Sequence, residues 1–169
     1  MRKSNGCGMN RVVIIGCPGS GKSTLARKLR DRTGLPLVSL DNLWWKPDRT
    51  HVAREEFDAA LAAILETDAW IIEGNYSRTY EPRIKACDTV ILLDYGTDLC
   101  LQSIEQRVGQ VRPDIPWTET ELDPELVDLV LHFKARNDPV LSDLFRRYAD
   151  RTIRIFHDRD EADAWLQSV

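Results

Sequence analysis

The sequence predicts an α/β protein built around a parallel sheet, and three observations carry that prediction. Short apolar runs that read as strands alternate with amphipathic stretches that read as helices. A glycine-rich turn, Gly16-Cys17-Pro18-Gly19-Ser20-Gly21-Lys22-Ser23, joins the first strand to the first helix. Three acidic residues, Asp41, Glu73 and Asp94, stand at the ends of apolar strands. Open parallel sheets bind their ligands at those ends.

The elements follow in order. Residues 11–15 (RVVII) read as a short buried strand, and residues 24–29 as the helix beyond the glycine-rich turn. Gly34 and Pro36 punctuate the chain, and residues 37–40 form a second strand ending at Asp41. Residues 42–50, with Trp44, Trp45 and Pro47, read as irregular. Residues 54–65 set Phe57, Leu61, Ile64 and Leu65 on one helical face. Residues 69–72 form a third strand, closed by Glu73 and Gly74, and a polar segment fills 75–85. Residues 89–93 form a fourth strand ending at Asp94, and 98–108 a helix. Pro113, Pro116 and many charges make 110–123 a mobile excursion. Two helices, 124–135 and 139–148, precede the last strand, 152–156, and the last helix, 159–166.

Of the 169 residues 43% are hydrophobic, enough for one domain with a real core over residues 10–169. Residues 1–9 read as a disordered tail; they lack the apolar stretch of a signal peptide. Charged residues at 30% exclude a disordered chain as a whole, and a net charge of −4 argues against nucleic-acid or membrane-surface binding. No apolar run reaches the roughly 18–20 residues of a membrane span. Cys7, Cys17, Cys87 and Cys100 form no C-x-x-C pair, so they read as free thiols in a reducing, cytoplasmic setting.

The glycine-rich turn matches G-x-x-x-x-G-K-[ST], a phosphate-binding loop, in the strand–turn–helix context that its chemistry needs. Backbone N–H groups converge on a phosphate, and the helix N-terminus adds partial positive charge. Gly16, Pro18, Gly19, Ser20, Gly21, Lys22, Ser23 and Thr24 are the predicted nucleotide contacts, with ATP and Mg²⁺ as ligands. Lys22 would reach the β- and γ-phosphates, and Ser23 would offer its hydroxyl to the metal. Glu73 and Asp94 compete for the acid on the metal side, and Asp41 is placed to meet an acceptor hydroxyl or the metal's water shell. Phosphoryl transfer is catalysed by positioning and by neutralising charge. Arg78 lies beyond the third strand, and Arg107, Arg112 and Arg136 lie in or beside the mobile excursion, where they could close over the nucleotide. Trp44 or Trp45 could stack on an acceptor ring or lie in the core. The three histidines have no metal-ligand spacing.

These segments resemble a known family. Residues 16–24 resemble the P-loop of adenylate-kinase-like small kinases. Trp70-Ile71-Ile72-Glu73-Gly74-Asn75-Tyr76-Ser77-Arg78-Thr79 resembles their apolar-strand-Asp-Gly-Phe-Pro-Arg-Thr segment, with Glu for Asp and one residue added before the arginine. Residues 90–94, the helix beyond and Arg107 resemble the family's strand and lid. Residues 40–47 together with 70–77 are similar to the DNA topology modulation proteins (the FlaR-like group). The resemblance runs from Asn10 over nearly the whole chain. It implies a three-layer P-loop NTPase fold: a five-stranded parallel sheet in the order 2-3-1-4-5, helices on both faces, and a small helical lid at about 107–137. It also implies an ATP-dependent kinase acting on a nucleoside monophosphate or nucleoside. One departure matters. Adenylate kinases follow the second strand with a Thr-Gly-Asp…Arg segment that grips the monophosphate, whereas Ser39-Leu40-Asp41-Asn42-Leu43-Trp44 stands here. An acid at that place looks more like shikimate- or gluconate-type kinases. A nucleotide-binding regulator is the remaining alternative, although no N-K-x-D base-specificity motif occurs.

Overall fold

A computed structural model describes residues 8–169. The expected tail lies outside the described residues as far as residue 7, and Met9 is already buried in the core. The elements run β1 (Arg11–Gly16), α1 (Lys22–Thr33), β2 (Leu37–Ser39), α2 (Leu40–Trp44), α3 (Arg54–Leu65) and β3 (Trp70–Glu73). A 3₁₀ turn (Ser77–Thr79) follows, then α4 (Tyr80–Ala86), β4 (Thr89–Leu93) and α5 (Thr97–Arg107). The chain finishes with α6 (Pro124–Leu131), α7 (Phe133–Arg147), β5 (Thr152–Phe156) and α8 (Arg159–Gln167).

All five strands are parallel, in the order β2-β3-β1-β4-β5. β1 is central, with Val13 opposite Ile72 on one side and Val90 on the other. Its apolar run is buried on both faces, as a parallel sheet covered by crossover helices requires. α1 packs over β1, β2 and β3 and touches α8, while α4 packs on β1 and touches α7. These are the layers of a three-layer P-loop fold, and they bring the carboxyl ends of β1, β2 and β3 together.

Three elements depart from the sequence reading. Leu40 and Asp41 open the one-turn helix α2 rather than closing β2, because Leu40 turns fully into the core and packs on Gly74. The polar segment before β4 contains α4, which buries Tyr80, Arg83 and Ile84 on one face. α7 begins six residues before Pro139 and runs through it. A proline inside a helix costs about 3 kcal/mol. Phe133, Leu141 and Leu144 bury one stripe of α7, at roughly 1.5–3 kcal/mol each, so packing outweighs the break signal. Among the described residues Cys17, Cys87 and Cys100 are free and buried, and no helix is long and apolar enough to cross a membrane.

Candidate active site

The cradle forms where β1 gives way to α1. Ser20 N donates to the Cys17 carbonyl at 3.0 Å, which closes the turn. Gly19 takes φ +88°, and a Cβ there would lie 2.3 Å from the Cys100 carbonyl oxygen of α5. Only glycine fits that seat. Gly21, with φ +92°, is the N-cap of α1 and faces open space. No side chain caps α1 and no acid lies in its first turn, so its leading N–H groups are available to an anion. Ser20 Oγ is buried without a hydrogen-bond partner. Lys22 Nζ donates to the Cys17 carbonyl at 3.2 Å, folded back over the loop. These features fit a polyphosphate.

The two glycines predict different outcomes. Gly21→Ala adds left-handed strain of about 1–2 kcal/mol. Gly19→Ala adds that strain and a collision with α5 backbone. Calorimetry with Mg–ATP is expected to find the Gly19 variant at least about tenfold weaker than the Gly21 variant. Equal affinities would refute the steric account.

Charge converges on this cradle. Glu73, the last residue of β3, is 2% exposed. Burial pushes its pKa above the ordinary 4.5, Lys22 and the Ser39 hydroxyl pull it back, and Asp41 and Asp114 push it up again. Burial lowers the Lys22 pKa from the ordinary 10.5 against the pull of Glu73 and Asp41, and Arg107 lowers it further. Asp41 accepts the Tyr76 hydroxyl at 2.8 Å. Tyr76 stays protonated, its pKa raised by burial and then by Asp41.

Asp114 is one residue that sequence reasoning missed. It lies in the excursion after α5, is 6% exposed, and accepts the Ser23 hydroxyl at 3.4 Å. Burial pushes its pKa up, but the paired Arg112 outweighs this and holds it below the ordinary range. Arg112 also reaches Glu119 at 3.3 Å. No motif surrounds Asp114; the only signal was the charge density of a segment read as mobile. Ser23, Glu73 and Asp114 are hard oxygen donors of the kind Mg²⁺ takes. Among the described residues no group of three His, Cys, Asp or Glu forms a closed metal cage. Mg²⁺ usually keeps waters and substrate oxygens instead.

Three other predicted residues are held in ion pairs. Asp94 pairs with Lys134 at 2.6 Å and His157 at 3.4 Å. Arg78 pairs with Asp58 on α3 at 2.6 Å. Arg136 pairs with Asp128 on α6 at 2.9 Å. Arg107, by contrast, joins Gly19, Gly21 and Thr24 in lining a cleft of about 430 Å³ beside the cradle. Tyr95 and Arg159 complete that wall, and neither was foreseen from sequence. The volume suits the nucleoside end of a nucleotide.

No family model matches the chain. It is 31% identical over 155 residues to an adenylate kinase of Mycolicibacterium smegmatis, covering 88% of this chain and 77% of that protein. The chain belongs to the adenylate kinase family. An adenylate kinase of Kocuria rhizophila is 30% identical over 147 residues, covering 82% of this chain and 68% of that one. A shikimate kinase from Bacteroides thetaiotaomicron shares the fold with a TM-score of 0.62 at 19% identity, over 95% of this chain and 96% of its own. The shikimate kinase of Acinetobacter baumannii, in complex with shikimate, gives 0.59 at 17%, over 95% and 90%. The protein is a P-loop phosphotransferase.

Beyond β3, this adenylate kinase family member carries a tightly held loop. Gly74 has φ +130°, and a Cβ there would meet Leu40 Cβ at 2.9 Å. Tyr76 sits in the left-handed region at φ 45°, a strain of about 1–3 kcal/mol for a non-glycine residue. Arg83 holds the loop from below. Its guanidinium is fully buried and donates to the carbonyls of Thr79 at 3.2 Å, Gly74 at 3.0 Å, and Asn75. Burial lowers the Arg83 pKa to about 10, while Tyr80 and Glu73 raise it. The strained Tyr76 is thereby aimed at Asp41.

Proposed function

We propose that this kinase transfers the γ-phosphoryl of ATP to a small acceptor held against Asp41, a nucleoside monophosphate or a nucleoside. The observation that carries this reading is the convergence of Lys22, Ser23, Glu73 and Asp41 on one uncapped helix N-terminus. Mg²⁺, when bound, supplies charge neutralisation between the β- and γ-phosphates. The N–H groups of the cradle and Lys22 hold the phosphates, with Lys22 countering charge that grows on the transferring group. Ser23 and Glu73 would hold the metal, with Asp94 engaged elsewhere by Lys134. Arg107 and Arg112 close from the lid side and exclude water. Asp41, oriented by Tyr76, takes the acceptor proton. The likeness of residues 40–47 and 70–77 to DNA topology modulation proteins supports membership of that subgroup on this reading. An acid at Asp41 also supports a second reading, a polyol or acid acceptor of shikimate or gluconate type.

γ-Labelled ATP with Mg²⁺ and a panel of monophosphates, nucleosides and polyol acids tests the proposal. A labelled acceptor is expected. Absence of Mg–ATP affinity at millimolar concentration would overturn the reading.

The pH profile carries a further prediction. Glu73 acts as a carboxylate, so transfer falls as pH drops through its raised pKa. The acidic limb of kcat/KM is expected above 4.5. Lys22 acts as an ammonium with a lowered pKa, so the alkaline limb is expected below 10.5. Glu73→Gln removes the acidic limb and leaves a low, flat rate there. An unchanged limb in that variant assigns it to another group.

A further inference from the structure

The segment after α5 turns inward at one residue, and the meaning of that turn rests on the kinase reading above. Gly109 N donates to the Glu119 carbonyl at 2.7 Å, which closes 109–119 into a strap. Gln110, Val111, Pro113 and Pro116 are exposed, yet Asp114 among them is buried. Aspartate is almost never fully buried unless it is paired. Its partners are Arg112 of the same strap and the Ser23 hydroxyl in the first turn of α1, and one carboxylate oxygen, Oδ2, accepts from both. Pro113, between Arg112 and Asp114, has a fixed φ and keeps the residue before it extended. The strap is seated at two further points. The Asn42 amide of α2 donates to the Pro113 carbonyl at 3.5 Å, and Trp117 meets Trp45 edge-on with 5.5 Å between ring centroids.

The charges around Asp114 decide what it can do. Arg112 and Arg107 both stabilise its carboxylate. Arg112 also reaches Glu119 at 3.3 Å. Lys22 lies in the field of Glu73 and Asp41 on the cradle side. The charge of Asp114 is therefore already matched, and it makes a better acceptor behind a metal ligand than a ligand. A hydroxyl has one hydrogen and two lone pairs. When Asp114 accepts that hydrogen, both lone pairs of Ser23 Oγ are left for a cation. At 3.4 Å the contact is long for a hydroxyl donor. Hydrogen bonds around a reaction site are commonly long before substrate binds and tighten afterwards.

We infer that Asp114 is a positioning residue for the metal, carried by the lid: it fixes the Ser23 hydroxyl so that the oxygen's lone pairs are left to Mg²⁺, and the metal's seat is complete only with the strap down. Strap closure and metal binding then favour each other by the same factor. Nucleotide without metal gains nothing from this contact.

The test uses the purified full chain, a non-hydrolysable ATP analogue, and Mn²⁺ in place of Mg²⁺ so that free ion is read by electron paramagnetic resonance. Asp114→Ala is expected to weaken Mn²⁺ binding to the enzyme–analogue complex about 10–100-fold, the usual loss when the partner behind a metal ligand is removed. Asp114→Asn keeps an oxygen acceptor and is expected to lose less. Calorimetry with the metal-free analogue is expected to give nearly the parent affinity in both variants, which also shows that the cradle is folded. In a Ser23→Ala background, Asp114→Ala is expected to cost no more than about twofold further, because no hydroxyl is left to orient. An Asp114 that only holds Arg112 would lose the same factor in both backgrounds. Hydrogen exchange supplies a second readout. Amides of 109–119 are expected to gain protection when Mg²⁺ joins the enzyme–analogue complex, and to lose that gain in Ser23→Ala. Unchanged Mn²⁺ affinity in Asp114→Ala, tighter Mn²⁺ binding in that variant, or strap protection that ignores the metal would each overturn the inference while sparing nucleotide binding. A parent chain without affinity for the Mg²⁺-loaded analogue would remove the kinase reading, and this inference with it.

Discussion

Lys22→Ala is expected to lower kcat/KM for phosphoryl transfer by on the order of 10²–10³-fold, the usual loss when a donor to developing transition-state charge is removed. The residue is held for this task before any ligand arrives. Its ammonium folds over the loop onto the Cys17 carbonyl and sits in the joint field of Glu73 and Asp41. Removing it has a second effect. Lys22 is the main influence pulling the Glu73 pKa down against burial, so without it Glu73 holds its proton to higher pH. The variant is therefore expected to combine the rate loss with an acidic limb displaced upward. Stopped-flow or steady-state kinetics across pH reads both. A rate within tenfold of the parent, or a limb that moves downward, contradicts the assigned role. Lys22→Arg is not expected to rescue fully, because a planar fork cannot follow the path of a compact ammonium.

Arg83→Leu is expected to produce a large loss of stability although the residue lies outside the apolar core. The side chain carries a positive charge in a fully buried position, yet its partners are carbonyl oxygens and the Thr79 hydroxyl rather than a carboxylate. Leucine leaves those acceptors unpaired, at about 1–3 kcal/mol for each that water cannot reach. A total on the order of 3–5 kcal/mol is reasonable for a broken buried network. For a chain of this size the melting temperature falls by roughly 2–4 °C per kcal/mol. A drop on the order of 10 °C is expected by calorimetric or fluorescence melting. The loop that aims Tyr76 at Asp41 would loosen as well, so the KM for the acceptor should rise more than the KM for ATP. A melting temperature within 2 °C of the parent, which needs roughly less than 1 kcal/mol, would mean that the loop holds itself.

Much of this was legible in the linear chain, for reasons that differ by element. β1, the cradle and α1 announce themselves because glycine spacing, a lysine and a flanking apolar strand are all local. Glu73 stood out only together with Asp41 and Asp94, because each acid ends an apolar run and spacing alone does not choose among them. The strand order came with the family likeness, since nothing in the residues of β2 alone says that it lies at the edge. What stayed hidden depends on distant partners. Arg83 reads as one more charge in a polar segment until the carbonyls of Gly74 and Asn75 fold over it. Asp114 lies 91 residues from Ser23 and has no local pattern. Pro139 signals a helix start, and only the burial of Phe133 and Asn137 before it says otherwise. Asp58 likewise could not be matched with Arg78 from spacing alone, since α3 and the loop after β3 meet only in three dimensions.

The close seat of Gly19 on the Cys100 carbonyl bears on engineering. The nucleotide loop is not a detachable module; its shape is moulded against the first turns of α5. Chimeras that import a foreign loop without its matching helix should misfit at that one contact, whereas swaps carrying both pieces should graft. Whoever redesigns donor preference in this enzyme has two segments to move together, 16–23 and 97–104.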